Sequence, residues 1–252
     1  MRKLKNGFAP AAVAGLVLTC LSLPAQAAGY GDNLVINGGA EASSGVASTS
    51  VTTMLPPAGW VTTGNITAAQ YGGAGGFPLA SSPGPLDRGA NFFAGGRSSM
   101  GMGTAISSAS QEISLNSYLG DIAGGQVGYS FSAYLGGYST DNDNAGLTLT
   151  FLNASHAVIS SVLLPSVLAA ERSNITGLLL RETSGYVPVG TQSVALLLTM
   201  TKTKGMYNDS SADNIAFALA APVPEPETYA MLLAGLGLMG GIARRRTAGK
   251  AA

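Results

Sequence analysis

Apolar residues at every second position constrain this 252-residue chain more than any other feature. Val127, Tyr129, Phe131, Ala133 and Leu135 fall on one side of an extended run, with Ser130, Ser132 and Tyr134 on the other. Ala145, Leu147, Leu149 and Phe151 repeat the pattern against Thr148 and Thr150, and Val194, Leu196, Leu198 and Met200 repeat it again. Successive side chains of a strand point to opposite faces, so this period describes half-buried strands of antiparallel sheets. Shorter segments at 34–36, 66–71, 91–94, 105–115, 158–163, 177–183 and 214–219 read as further strands. Turn-forming stretches at 72–76, 81–84, 136–144 and 208–212 separate them. Roughly ten short strands with polar turns predict an all-β fold, an antiparallel β-sandwich or jelly roll. One helical turn is expected within 163–172, and no internal repeat is present.

The chain ends carry a different pattern. Arg2, Lys3 and Lys5 precede an apolar run, Ala9–Leu23, and a small-x-small site, Ala25-Gln26-Ala27. Together these form a secretory signal peptide, residues 1–27, read by the secretion translocon and cut after Ala27. Cys20 lies in its apolar part with Leu18-Thr19 before it, so ordinary cleavage is expected rather than lipidation. As Cys20 is the sole cysteine, residues 28–221 can form no internal disulfide. Those residues hold six basic and eleven acidic side chains, a net charge of −5. Seven of the thirteen basic residues sit in the two end segments, so the central domain has no basic patch for nucleic acid.

At the other end, Pro224 and Pro226 stiffen Val223–Glu227 into a non-helical connector. An uncharged run follows from Tyr229 to Ala243, then Arg244, Arg245 and Arg246. Fifteen helical residues span roughly 22 Å, short of the ~30 Å hydrocarbon core. Such a helix spans only with snorkelling arginines or local thinning. By the positive-inside rule the arginines stay cytoplasmic and everything before them is exported. Val223-Pro224-Glu225-Pro226, the short apolar helix and the arginine stop resemble the PEP-CTERM sorting signal of Gram-negative bacteria. The resemblance covers residues 222–246: a stem at 222–228, a helix at 229–243 and a basic stop at 244–246, with 247–252 as a tail. It implies export, temporary anchoring in the inner membrane through the C-terminal helix, and processing by an exosortase-type enzyme. It also implies a host that makes extracellular polysaccharide and biofilm. The tag is shared by many unrelated ectodomains, so it implies an address rather than an activity.

A second resemblance concerns residues 28–221. Asn33-Leu-Val-Ile-Asn37-Gly38-Gly39-Ala40-Glu41, then Gly59-Trp60, and the closing Asp213-Asn214-Ile215 resemble galactose-binding-like jelly rolls, including carbohydrate-binding modules. Ala40 stands where that family usually has an aromatic. The resemblance implies that the first and last strands lie side by side, with a structural calcium ion between Glu41 and Asp213. A hard cation wants several oxygens, and two carboxylates supply part of that shell. The bland alternative is a turn hydrogen bond for Asp213 and a solvated Glu41.

Other candidates weigh toward structure. Asp141-Asn142-Asp143-Asn144 lacks the glycine and distant glutamate of a calcium loop, and Asx residues are ordinary turn formers. His156 is the only histidine and sits in a hairpin-like Asn153–Ala157 segment with no Gly-x-Ser-x-Gly elbow in the chain. Lacking a mature cysteine and a second histidine, the chain offers little for zinc. A lone tryptophan usually plugs a core, so Trp60 is expected inside. Tyr134 and Tyr138 are the expected carbohydrate-stacking residues, because Tyr134 falls on the polar face of its strand. No catalytic residue is expected. The leading expectation is a non-enzymatic surface or matrix protein associated with exopolysaccharide. A carbohydrate-binding module is the alternative, and a polysaccharide hydrolase, which would need two facing carboxylates, ranks last.

Overall fold

The computed structural model describes residues 29–50, 53–97, 105–222 and 231–239. The signal peptide, Val223–Pro226 and Arg244–Arg246 lie outside the described residues. Strands form where the period-two runs fall. They are β1 (Val46–Ser48), β2 (Val61–Thr63), β3 (Thr67–Ala74), β4 (Asn91–Gly96), β5 (Ile106–Ser114) and β6 (Gly128–Gly137). β7 (Asn144–Leu152), β8 (Val158–Leu164), β9 (Gly177–Tyr186), β10 (Ser193–Thr201) and β11 (Asn208–Ala220) complete the set.

Two sheets result, in the orders β1-β3-β4-β11-β6-β9 and β2-β5-β10-β7-β8. Every pairing is antiparallel except β1 with β3. The expected antiparallel β-sandwich is what the chain forms. Its sheets enclose Phe131, Leu135, Leu147, Leu149, Phe151, Leu196, Leu198 and Phe217, the side chains that the alternation turned inward. Trp60 is buried there edge-on to Phe93, at 5.3 Å between centroids, and its indole N–H donates to Asn37 O. The expected plug is in place.

β4 departs from alternation because it is covered twice. Consecutive Phe92 and Phe93 are both fully buried. Phe93 joins the main core, whereas Phe92 joins a second cluster with Val46, Ala69, Phe77 and Tyr207. Phe77 belongs to the long connection between β3 and β4, which folds back over the outer face of the six-stranded sheet. Pro83 O of that connection accepts from Leu178 N at 2.8 Å.

Three local expectations need correction. Residues 34–36 form no ladder strand; an irregular segment instead runs beside β11. Gly31 N and Leu34 N donate to Leu219 O and Phe217 O, and the Asn33 side chain bonds Ile215 O and Phe217 N in place of backbone. The opening and closing segments of the sandwich therefore do lie side by side. Residues 208–212, expected as a turn, open β11. Asn208, Ser210 and Ser211 there are buried but satisfied: Asn208 Nδ2 donates to Met200 O, Ser210 Oγ to Asn144 O and Ser211 Oγ to Asp209 O. The segment 169–174 makes turn hydrogen bonds only. The short helix is instead α1, Leu119–Ala123, entered through a 3-10 turn at Asn116–Tyr118.

Candidate functional site

A bulge in β11 builds one end of the site. Ala212 pairs with Leu135 and Phe217 with Phe131, yet the register shifts between Asp213 and Ala216. One extra residue is absorbed by Asn214, whose φ of 46° is left-handed. Asparagine tolerates that conformation better than most residues. The bulge keeps both Ala212 and Ile215 in the core and turns Asp213 onto the outer face.

There Asp213 is fully buried. Tyr71 Oη donates to Asp213 Oδ2 at 2.6 Å, and Asn214 N donates to Asp213 Oδ1 at 2.7 Å. Burial pushes its carboxyl up to about 7; Glu41 adds to the rise, while the two donors and Arg88 oppose it. Burial, with Asp213 beside it, also raises the Tyr71 hydroxyl. The Arg88 guanidinium lies 5.1 Å from the Tyr71 ring centre. Glu41 accepts Ala90 N at Oε2 and Asn91 N at Oε1, 3.1 and 2.8 Å, so it caps the start of β4 rather than standing free in solvent. The structure thus brings Glu41 and Asp213 into one corner. Gly39 leaves space between them: a Cβ there would lie 3.5 Å from Asp213 Oδ1 and 3.6 Å from Asn214 Oδ1 and Glu41 Cγ. This oxygen-rimmed cradle fits a hard cation in donor type.

From that corner a trough runs along the outer face of β6, β9 and β11. Strand register lays out its floor in rows: Ser132 beside Glu182 and Ala216, Ser130 beside Ser184 and Ala218, Gly128 beside Tyr186 and Ala220. Tyr134 lines the end next to Gly39, Asp87 and Asn214. Ser132, Glu182 and Ser184 line the middle. Tyr30 and Tyr186 flank the far end, a depression of about 740 Å³. Tyr30 Oη donates to Asp121 at 2.7 Å, which fixes that wall, while Tyr186 is 67% exposed. Small side chains on the floor with tyrosines at both ends make a long, shallow surface rather than a deep cleft.

Tyr138 lies elsewhere. It stands against Gly76, where a Cβ would sit 2.4 Å from its ring, and lines a narrow space with Phe77, Tyr207 and Asp209. The structure does not bring Tyr134 and Tyr138 to one depression. Tyr186 and Glu182 were not singled out in the sequence; their signal was the alternation of Leu180, Glu182, Ser184 and Tyr186 on one face of β9.

Asp141 and Asp143 adopt the expected turn role, with Asp143 N donating to Asp141 Oδ1 at 3.2 Å. They also meet Asp209, all within 4.8 Å of one another. Asp143 is saturated by donors: Thr203 N, Thr203 Oγ1, Lys204 N and Asp209 N. Buried Arg172 donates to Gly137 O, Ser139 O, Ile175 O and Asp141 O, and Lys204 Nζ is 3.9 Å from Asp141. Burial, then Asp143 and Asp141, push the Asp209 carboxyl up to about 7. The cluster ties three loops together. His156, at φ 57° in a hairpin turn, pairs with Glu112 at 3.2 Å. Ser193 Oγ donates to the same carboxylate at 2.7 Å. Glu112 thus stands between hydroxyl and imidazole, whereas a base must touch its nucleophile to activate it.

The fold is a two-sheet β-sandwich whose open face is a shallow trough, and the chain leaves it at Ala221. Residues 222–246 match the family model described as the PEP-CTERM protein-sorting motif. The motif implies export, temporary membrane anchoring, exosortase processing and surface sorting. Residues 231–239 are helical and exposed. Among the described residues, no helix is long and apolar enough to cross a membrane. Similar solved structures include the enzymatically active domain of bacteriophage CBA120 tailspike protein 4, at 11% identity and TM-score 0.46. That match covers 74% of this chain but 21% of the tailspike chain, so this chain spans about a fifth of it. A family 16 carbohydrate-binding module is similar at 16% identity and TM-score 0.39, covering 74% of this chain and 99% of the module. The CBM22-1 xylan-binding domain from Paenibacillus barcinonensis is similar at 12% identity and TM-score 0.40, covering 78% and 100%. No curated protein sequence matches the chain.

Proposed function

We propose that residues 29–221 are the cargo of a tail-directed sorting route and act outside the cell as a non-enzymatic surface or matrix protein that holds extracellular polysaccharide. The observation that carries the binding half is the trough on β6, β9 and β11. Its floor of Ser130, Ser132 and Ser184 offers hydroxyls, and Tyr134 and Tyr186 offer rings for sugars to stack on. A non-catalytic role is supported by the placing of charge: glycoside hydrolysis uses two carboxylates flanking the bond, whereas the trough carries Glu182 on its floor and Asp87 at its Tyr134 end, where Asn214 Nδ2 donates to Asp87 at 2.8 Å. The host is read as a Gram-negative, biofilm-forming bacterium on the strength of the sorting motif. In the same reading, a calcium ion is held by Glu41 and Asp213 beside Gly39 and keeps the Tyr134 end of the trough in shape.

Binding is measured by affinity electrophoresis through gels containing xylan, β-glucan or polysaccharide from the producing cells. Retardation by at least one neutral polysaccharide is expected. Tyr134→Ala and Tyr186→Ala should each weaken it by about tenfold, the loss of one sugar–aromatic stacking contact. Migration unchanged in every gel removes the polysaccharide reading, and product sugars released during incubation would convert it into the hydrolase reading.

A further inference from the structure

Charge in the trough is of one sign. Among the described residues its lining holds two carboxylates, Glu182 in the middle and Asp87 at the Tyr134 end, and no lysine or arginine. Asp87 Oδ1 accepts from Asn214 Nδ2. Glu182 is exposed and has no hydrogen-bond or ion-pair partner among the described residues. The arginines next to these acids in the chain are held elsewhere. Arg181 lies on the opposite face of β9 from Glu182 and donates to Pro165 O, Ser166 O and Glu171. Arg88 donates to Pro85 O, Leu79 O and Ser82 O. The trough therefore presents negative charge that no side chain of its own lining answers.

Position narrows what could answer it. The outward residues of β9, Leu180, Glu182, Ser184 and Tyr186, cover ~20 Å at the usual rise of a strand. Glu182 falls inside that length, in the row next to Tyr134, with Ser132 across from it and Ser184 beside it. A ligand long enough to reach both Tyr134 and Tyr186 lays an internal unit, not its end, over Glu182. A carboxylate flanked by hydroxyls suits an ammonium, which has three donors and forms stronger, charge-assisted hydrogen bonds with an ionised acceptor than a neutral hydroxyl does. We propose that the trough selects polysaccharides with free amino groups, hexosamine polymers only partly N-acetylated, and that Glu182 receives the ammonium of an internal sugar. This preference rests on the trough being the binding surface. The same charges disfavour uronic-acid polymers, whose carboxylates would lie beside Glu182 with no cation between. The net charge of −5 over residues 28–221 acts in the same direction at long range.

The test uses the full chain in mild detergent, at a mildly acidic pH where sugar amines are protonated. Dissociation constants are measured by calorimetry for glucosamine, N-acetylglucosamine and galacturonate oligosaccharides of equal length. The glucosamine series should bind about fivefold more tightly than the acetylated one, the strength of one exposed ion pair. The galacturonate series should bind more weakly than both. Glu182→Gln should bring the glucosamine affinity down to that of the acetylated series, which it leaves unchanged. Glu112→Gln, the same charge change at an exposed position of β5 in the other sheet, should alter neither. Equal affinity for the amine and acetylated series overturns the proposal, as does a preference that survives Glu182→Gln. A loss as large in Glu112→Gln overturns it too, since attraction would then be to the domain's net charge. If the acetylated series binds, and Tyr134→Ala or Tyr186→Ala weakens it, while amines give no advantage, only the amine preference falls. If no series binds, the trough falls with it.

Discussion

At the scale of single residues, one buried and one half-buried carboxyl set how this domain responds to acid. Asp213 and Asp209 are both pushed up to about 7, mainly by burial. The folded state therefore holds their protons more tightly than the unfolded chain does. Their stabilising contribution is complete below the unfolded carboxyl value, near 4, and is lost as pH rises toward 7. Glu171 is shifted the other way by the Leu168 amide and Arg181, but it is exposed and counts for little. Three units correspond to on the order of 4 kcal/mol for one fully buried carboxyl. The thermal midpoint in chelator should thus fall between pH 4.5 and 8 by roughly 10 °C. Asp213→Asn, which keeps an acceptor for Tyr71, should flatten the profile; an equally steep profile in that variant would show that Asp213 does not govern it. Calcium reverses the sign at the alkaline end, because an ion beside Asp213 favours the ionised form. At pH 7.5, added calcium should raise the midpoint of the parent protein and not that of Asp213→Asn or Glu41→Gln. No rise in the parent would remove the ion from the corner.

Among the elements, the connection from β3 to β4 decides which part of the outer face is open. It is held down by Phe77 stacked edge-on against Phe92 at 5.4 Å, and by Pro83 O on Leu178 N. Phe92→Ala should cost about 3–5 kcal/mol, the usual range for a large buried aromatic. It should also make residues 72–90 the first point of limited proteolysis; cleavage elsewhere would mean the cluster is not what holds the connection. Elements of this kind mark the limit of what the sequence discloses. β6, β7 and β10 were legible because one face is wet and one dry, so side-chain polarity copies the pleat. The opening of β11 was not, because Asn208, Ser210 and Ser211 are buried polar residues whose partners, Met200 O and Asn144 O, come from other strands. β1 and β2 were too short to show a period. The Glu41–Asp213 corner was legible as a pair of positions carried by resemblance, but the bulge at Asn214 that turns Asp213 outward is tertiary information. The trough was half visible: Tyr134 could be picked from its strand, whereas Tyr30 and Tyr186 meet only through the register of β6 with β9.

At the scale of the whole molecule, the sorting motif and one end of the trough meet where the chain leaves the sandwich. β11 runs from Asn208 to Ala220 in the six-stranded sheet, and the sorting motif begins two residues later. Ala220 and Ala221 line the Tyr30–Tyr186 end of the trough. That end of the trough is therefore the one from which the chain leaves the sandwich toward the sorting motif. Sorting and binding should then be separable. Removing residues 222–252 should leave the fold and the affinity for polysaccharide gels unchanged, because no described contact of the sandwich reaches past residue 222. The same deletion should move the protein from the envelope to the medium, measured by immunoblotting of fractions from the producing cells. Tyr186→Ala in the full chain should do the opposite, reaching the envelope normally but washing out of the matrix with mild salt-free rinsing. If the deletion leaves the distribution unchanged, the tail is not the address; if Tyr186→Ala is retained as firmly as the parent, the trough is not the grip.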